Sequence, residues 1–169
     1  MTESNLSKRI PISFFPNTGK LRPEPAAAVI LWTIGGDYLM QLRDDIPGIF
    51  YPGHYGFFGG AASEGESILA CAARELREEI NIDFQESEFA EFSRIDLDFG
   101  PFGYGRICRY YFEIKVEPTI SADIRLSEGL RAEFLQGNRL LVRERVTPYD
   151  AFVLWQHWNV RTLDGSIKA

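Results

Sequence analysis

Glu75, Glu78 and Glu79 stand at i, i+3 and i+4 in the stretch "RELREEI". On a helix that spacing puts three carboxylates on one arc, a few ångströms apart. Like charges held so close repel and raise one another's pKa. Oxygen ligands converging in this way are what a hard divalent cation such as Mg²⁺ takes up, and a bound cation would remove the conflict. The plainer reading is a solvated helix face, where Arg74 and Arg77 pair with neighbouring glutamates at about 0.2–0.5 kcal/mol per pair.

The elements around this arc sharpen the choice. A helix is expected from about Glu66 to Ile80, because Ile68, Leu69, Ala72, Ala73, Leu76 and Ile80 fall on one side at roughly 100° per residue. The glutamates border that apolar stripe, at the edge of the core. Ahead of the helix, residues 44–60 hold Pro47, Gly48, Pro52, Gly53, Gly56, Gly59 and Gly60, a density that no regular helix tolerates. This is a long loop rich in aromatics. Earlier still, "AAAVILWTI" and "YLMQLR" flank Gly35, Gly36 and Asp37 and read as two strands around a tight turn.

After the helix, "FAEFSRIDLDF" and "RICRYYFEIKV" read as two long strands separated by the turn "GPFGYG", and "LRAEFLQ" as another. Thr147 as N-cap, Pro148 at the first helical position and Asp150 in the first turn open a closing helix. Residues 1–25, broken by Pro16, Gly19, Pro23 and Pro25, form an N-terminal extension, leaving one domain over 26–169. The sum is an α+β fold, a mixed sheet with helices packed on it.

Composition narrows the function. A chain of 169 residues with 45% hydrophobic and 25% charged residues is globular and long enough for one sizeable core. A net charge of −6 without clustered Lys or Arg speaks against a partner that is a nucleic-acid polymer. A phosphorylated small molecule fits if a divalent metal supplies positive charge. Two cysteines, Cys71 and Cys108, make no disulfide framework and favour a reducing compartment. The start "MTESNLSKRIPISFF" has no signal-peptide core, and the longest apolar run is too short to span a bilayer, so a cytoplasmic protein without membrane contact is expected.

Counted from Gly60, the chain reads five residues to Glu66, seven more to Arg74, then Glu75, Leu76, one residue, Glu78, Glu79, one residue, Asn81 and Ile82. This resembles the signature of the Nudix hydrolases, G-x5-E-x7-R-E-U-x-E-E-x-G-U with U aliphatic. Asn81 stands where that family has glycine. The position lies just past the helix end and needs positive φ, for which Asn is the next-best residue. The resemblance implies the Nudix fold, a mixed β-sheet sandwiched between α-helices. It implies Mg²⁺- or Mn²⁺-dependent hydrolysis of a nucleoside diphosphate linked to another moiety, by water attack on the diphosphate. Candidates for that linkage are a nucleoside triphosphate, a nucleotide sugar or a dinucleotide.

Carried over by position, Glu75, Glu78 and Glu79 would bind metal, with the Gly60 carbonyl as a further ligand. Arg74 would hold the glutamates and Glu66 would brace the loop. Glu128, in "SEGLRAEFL", fits an extra ligand or general base supplied by a later loop, with Glu113 and the box glutamates as competitors for the base. The approach "PGIFYPGHYGFFGG" would line the substrate pocket through Tyr55, Phe57, Gly59 and Gly60, and Arg43 would meet a phosphate. His54 reads as a loop histidine. An N-terminal extension serves many relatives of this kind as a swapped strand, so the resemblance allows a homodimer without deciding it. Two rival readings use the same fold. One is a binding module that hydrolyses nothing, although such modules usually lose box glutamates that this chain keeps. The other is an isoprenyl diphosphate isomerase, which needs a reactive cysteine, whereas Cys71 on the helix reads as a buried apolar residue.

Overall fold

In the computed structural model of the chain, residues 25–98 and 106–168 are described. Most of the N-terminal extension and the turn "GPFGYG" lie outside them. The apolar run forms β1 (Ala26–Trp32), and β2 (Asp37–Leu42) returns antiparallel to it, with Leu31 opposite Leu39 and Trp32 opposite Tyr38. Gly36 makes the turn at φ +80°, a conformation that favours glycine.

β4 (Ala90–Asp98) and β5 (Arg106–Lys115) pair antiparallel, and β5 runs parallel to β1 from Ala26 opposite Arg109 to Trp32 opposite Lys115. β6 (Arg131–Gln136) takes the other edge of β2. The two-residue β3 (Tyr55–Gly56) pairs with the end of β2, and the chain then bends to bridge β1 through Phe58 and Ala61. The aromatic loop is therefore anchored on the central strand, although the sequence shows no strand period there.

β1 is buried on both faces, which is why it reads as a continuous apolar run and not as an alternation. Ala27, Val29 and Leu31 point to one face, where α1 (Ile68–Ile80) packs through Cys71, Ala72, Leu76 and Ile80. Ala28, Ile30 and Trp32 point to the other, covered by α2 (Gly137–Arg143) and α3 (Pro148–Leu163) through Leu140, Val153 and Leu154. The result is a sheet between two helical layers. Full burial of Leu76 and Ile80, at about 1.5–3 kcal/mol each, fixes the rotation of α1 and hence the direction its glutamates face.

Two helix ends differ in detail from the sequence reading. α1 starts at Ile68 because the Ser67 hydroxyl caps it, accepting the Ala70 N–H at 3.1 Å. Glu66 stays outside the helix and accepts the Ser63 N–H at 2.8 Å. At α3 Thr147 is the N-cap residue, but its hydroxyl donates to the Asp150 carboxylate at 2.8 Å and caps no backbone amide. Asp150 is almost wholly buried, so its need for donors outweighs the capping bond. Asn81 behaves as read, closing α1 at φ 58° and ψ 36° with its N–H on the Arg77 carbonyl.

Candidate active site

Gly59 and Gly60 lie across β1, with the Gly60 carbonyl accepting the Ala27 N–H at 2.9 Å. A side chain on Gly59 would collide with the Ala27 carbonyl, and one on Gly60 would collide with the Glu75 carboxylate. Gly59 is required by close approach of the loop to the β1 backbone, and at Gly60 the absence of a side chain leaves room for the Glu75 carboxylate. The pair thus brings backbone polar groups to the glutamate arc.

Arg74 organises the outer part of that arc. Its Nε and Nη2 grip both oxygens of Glu66 at 2.8 and 3.0 Å, Nη2 also reaches the Ala61 carbonyl at 3.2 Å, and Nη1 bonds Glu75 at 2.7 Å and Glu78 at 2.9 Å. One guanidinium fork therefore ties loop to helix and neutralises adjacent carboxylates. Hydrogen bonds from Arg74 and from the Ser63 backbone hold Glu66 well below the usual carboxylate range, at about 2. Arg74 and Glu66 together link the loop to the helix.

The inner part is drier. Glu79 is 7% exposed and accepts the Gly59 N–H at 2.9 Å. Burial pushes its pKa up to about 8, against the pull of that N–H, with Glu75 and Glu128 adding repulsion. Burial also raises Glu75, opposed by Arg74. Glu128 is brought to this cluster by a loop fastened to the end of α1. The Arg125 and Ser127 amides donate to the Ile80 and Glu79 carbonyls at 3.0 and 2.9 Å, the Ser127 hydroxyl donates to the Glu78 carbonyl, and the Gln41 side chain holds the Glu128 carbonyl at 3.1 Å. The loop thus brings Glu128 within electrostatic range of Glu75 and Glu79.

Among the described residues, no three acidic, histidine or cysteine side chains already enclose one point as a cation site. On the outer side Glu75 and Glu78 are both engaged by Arg74. The donors are nonetheless hard oxygens of the type a divalent ion selects, and the buried Glu79 carboxylate accepts the Gly59 N–H. The donor set fits Mg²⁺ or Mn²⁺ provided Arg74 yields its hold on Glu75 and Glu78.

A family model for the NUDIX domain matches residues 22–156. The chain belongs to the NUDIX family. Among curated proteins, this NUDIX chain is 33% identical over 67 residues to the NAD-capped RNA hydrolase NudC of Stutzerimonas stutzeri (strain A1501), a stretch covering 40% of this chain and 23% of that protein. Among solved structures, the MutT NUDIX hydrolase from Burkholderia pseudomallei superposes with a TM-score of 0.63 at 15% identity, covering 80% of this chain and 98% of that one. The E. coli dihydroneopterin triphosphate pyrophosphohydrolase also gives 0.63, at 19% identity, covering 83% and 98%. These likenesses establish the NUDIX fold, a mixed sheet between helices.

Several residues read from the sequence fall elsewhere. Phe57 is 3% exposed and packs edge-on against Tyr111 at 6.2 Å in the α3-side core, and Tyr55 is 5% exposed in the same cluster, its hydroxyl held between Arg131 and Glu133. Neither ring is free to stack a ligand, which corrects the pocket-lining role expected of them. Core filling won because β3 presses this segment onto the sheet. Arg43 donates from Nε to the Phe50 carbonyl at 2.9 Å and braces the loop. The Gly60 carbonyl is turned to β1, with the Cys71 thiol also 3.5 Å away. His54 bonds the Pro52 carbonyl within its own loop.

Glu113 is removed from the competition for general base by strand alternation. Phe112 and Ile114 face α1, so Glu113 faces α3, where His157 Nε2 lies 2.8 Å away and Arg161 forks its carboxylate. Tyr38 meets His157 Nδ1 at 2.8 Å. Burial lowers the His157 pKa, and the neutral ring satisfies both bonds when Nε2–H donates to Glu113 and Nδ1 accepts from Tyr38. This is a buried strut between sheet and α3. Cys71 is fully buried and burial pushes its thiol pKa up, which is unlike a reactive isomerase cysteine. The sequence reading placed Asp150 only in the first turn of α3; the structure buries it, where it accepts the Phe57 N–H and the Tyr111 hydroxyl.

Proposed function

We propose that this chain is a divalent-metal-dependent pyrophosphohydrolase acting on a small molecule that contains a diphosphate linkage, such as a nucleoside triphosphate, a nucleotide sugar or a dinucleotide. The observation that carries the reading is the Glu79 carboxylate on the Gly59 N–H and the Glu75 carboxylate against Gly60, with Arg74 bracing Glu66, Glu75 and Glu78. Membership of the NUDIX family supports it, as does the pyrophosphohydrolase named among the structural neighbours.

Glu75, Glu78, Glu79 and Glu128 would hold Mg²⁺ or Mn²⁺, which when bound neutralises diphosphate charge and acidifies water. The chain's own residues set the stage. Arg74 would keep Glu66 on the loop while yielding Glu75 and Glu78 to the ion. Glu128, on a loop tied to the helix end, would serve either as a further ligand or as the base that takes a proton from the attacking water. The buried walls around Glu79 exclude solvent and strengthen each electrostatic contact.

The reading is tested by Glu78→Gln. Glu78 is 57% exposed on its side chain, so the exchange leaves the core untouched. Turnover of an accepted diphosphate should fall about a hundredfold or more, the scale on which acid–base and metal-ligand groups act, with the melting temperature unchanged. Equal turnover in wild type and variant would remove the glutamate arc from the chemistry.

A further inference from the structure

α3 covers the side of the sheet away from α1, and its inner face buries Val153, Leu154 and His157. A surface helix ordinarily carries charged residues on the opposite face. α3 carries none there. Its one aspartate and its one arginine both turn inward: Asp150 is buried, and Arg161 forks the Glu113 carboxylate on β5. The outward positions hold Phe152, 58% exposed, Trp155, 54%, Val160, 41%, and Leu163, 87%, with Gln156 and Asn159 between them. Spacings of three and four residues put these six on one side of the helix. The first half of this stripe is aromatic, with the Phe152 and Trp155 rings 6.4 Å apart, and the second half is aliphatic. A contiguous apolar stripe open to water marks an interaction surface.

Charge narrows the partner. The stripe offers no ion pair to a charged protein. An anionic membrane would need Lys or Arg beside the apolar residues, and α3 spends its arginine on Glu113. The chain carries −6 overall, so two copies repel except where they meet through uncharged surface. The stripe is such a surface, and it is complementary to itself. When two α3 helices lie antiparallel about a two-fold axis, contacts join residues whose numbers add to a constant. With Phe152 set on Leu163 of the second copy, Trp155 falls on its Val160 and Gln156 on its Asn159. Aromatic then meets aliphatic at both ends, and amide meets amide at the axis. The Gln156 oxygen accepts the Ser93 hydroxyl at 3.3 Å, and the Asn159 amide donates to the Trp155 carbonyl at 2.7 Å. Those bonds engage the oxygen of one amide and the nitrogen of the other, so a Gln156 N–H and the Asn159 oxygen can meet across the axis. Burying the stripe on itself removes about 1,000 Å² from water over both copies, at about 150–250 Å² for a whole aromatic side chain and less for an aliphatic one. That area reaches the lower bound of a specific interface.

We propose that the outer face of α3 is a homodimer interface, with two copies of the helix antiparallel and the two-fold axis between Gln156 and Asn159. The glutamates lie on the helix that packs on the other face of the sheet, so pairing through α3 leaves them uncovered. The inference does not rest on the pyrophosphohydrolase reading.

Sedimentation equilibrium of the full chain from about 5 to about 500 µM tests it, a range that spans the affinity expected of a small interface. The average mass should rise from 19.3 kDa toward twice that value. Trp155→Glu places a charge in the stripe and should raise the dimer Kd about tenfold or more. Trp155 is exposed in the single chain, so the circular dichroism of this variant should match that of wild type. The register has its own test. Phe152→Lys and Leu163→Glu should each sediment as single chains, and an equimolar mixture of the two should regain the dimer, because each mixed pair joins one lysine to one glutamate and keeps one native contact. A wild type of 19.3 kDa at every concentration overturns the proposal, the stripe then belonging to residues 1–24 of the same chain or to a foreign protein. A dimer undiminished by Trp155→Glu, or a mixture that stays monomeric, overturns it as well.

Discussion

Glu79 shows how a single side chain can carry a conflict that the fold does not resolve alone. It is a carboxylate in the dry edge of a core, with one amide donor from Gly59 and two like charges nearby. Its folded pKa of about 8 exceeds its unfolded value of 4.5, so between those limits the folded form binds more protons. Stability in chelator should therefore fall as pH rises from about 5 to about 8, by at most about 1.4 kcal/mol per pH unit. Urea titrations at several pH values check this. Glu79→Gln should flatten the slope and raise stability at pH 8, while a wild-type curve that rises with pH across this window would contradict the account. The identity of this residue was legible from its spacing after Gly60. Its burial was not, because the depth of one helical position depends on how far Leu76 and Ile80 sink into the α1-side core.

Among the elements, α1 is positioned from both ends. Ser67 fixes its start and Asn81 its end, and the loop bearing Glu128 bonds to the Ile80 and Glu79 carbonyls just before that end. Asn81→Gly should be within about 0.5 kcal/mol of wild type, since either residue accepts positive φ, whereas Asn81→Ala should lose about 1 kcal/mol or more. Denaturant midpoints of the two variants measure the difference, and equal losses would show that the left-handed turn is not what the position requires. Strands and helices were readable where a single pattern ran for long enough: the apolar run of β1, the stripe of α1, the Thr-Pro opening of α3. α2 was missed because its seven residues begin with Gly137 and carry no capping signal. Gly137 lets the Trp158 ring pass against the backbone, a tertiary contact invisible in local sequence. The Arg109–Asp150 pair was missed for a related reason, since the two approach only after the sheet and α3 are in place.

For the molecule as a whole, the family match ends at residue 156, yet the fold does not. His157 and Arg161 bind Glu113 on the central sheet, Ile167 is 4% exposed in the α3-side core, and the Lys168 N–H bonds the Ile34 carbonyl. A chain cut after Gln156 leaves Glu113 as a buried carboxylate without its partners, a change of the kind that costs several kcal/mol. It should lose its cooperative thermal transition by circular dichroism; a transition at the wild-type temperature would show the tail to be dispensable. The central claim is that this molecule uses its glutamate arc and a divalent ion to split a diphosphate. The most direct measurement is release of phosphate or mononucleotide from a panel of nucleoside triphosphates, nucleotide sugars and dinucleotides, in Mg²⁺, in Mn²⁺ and in chelator. The account predicts product from at least one of these substrates with metal and none with chelator. Product that persists undiminished in chelator, or no product from any substrate while metal binding is demonstrated, would contradict it.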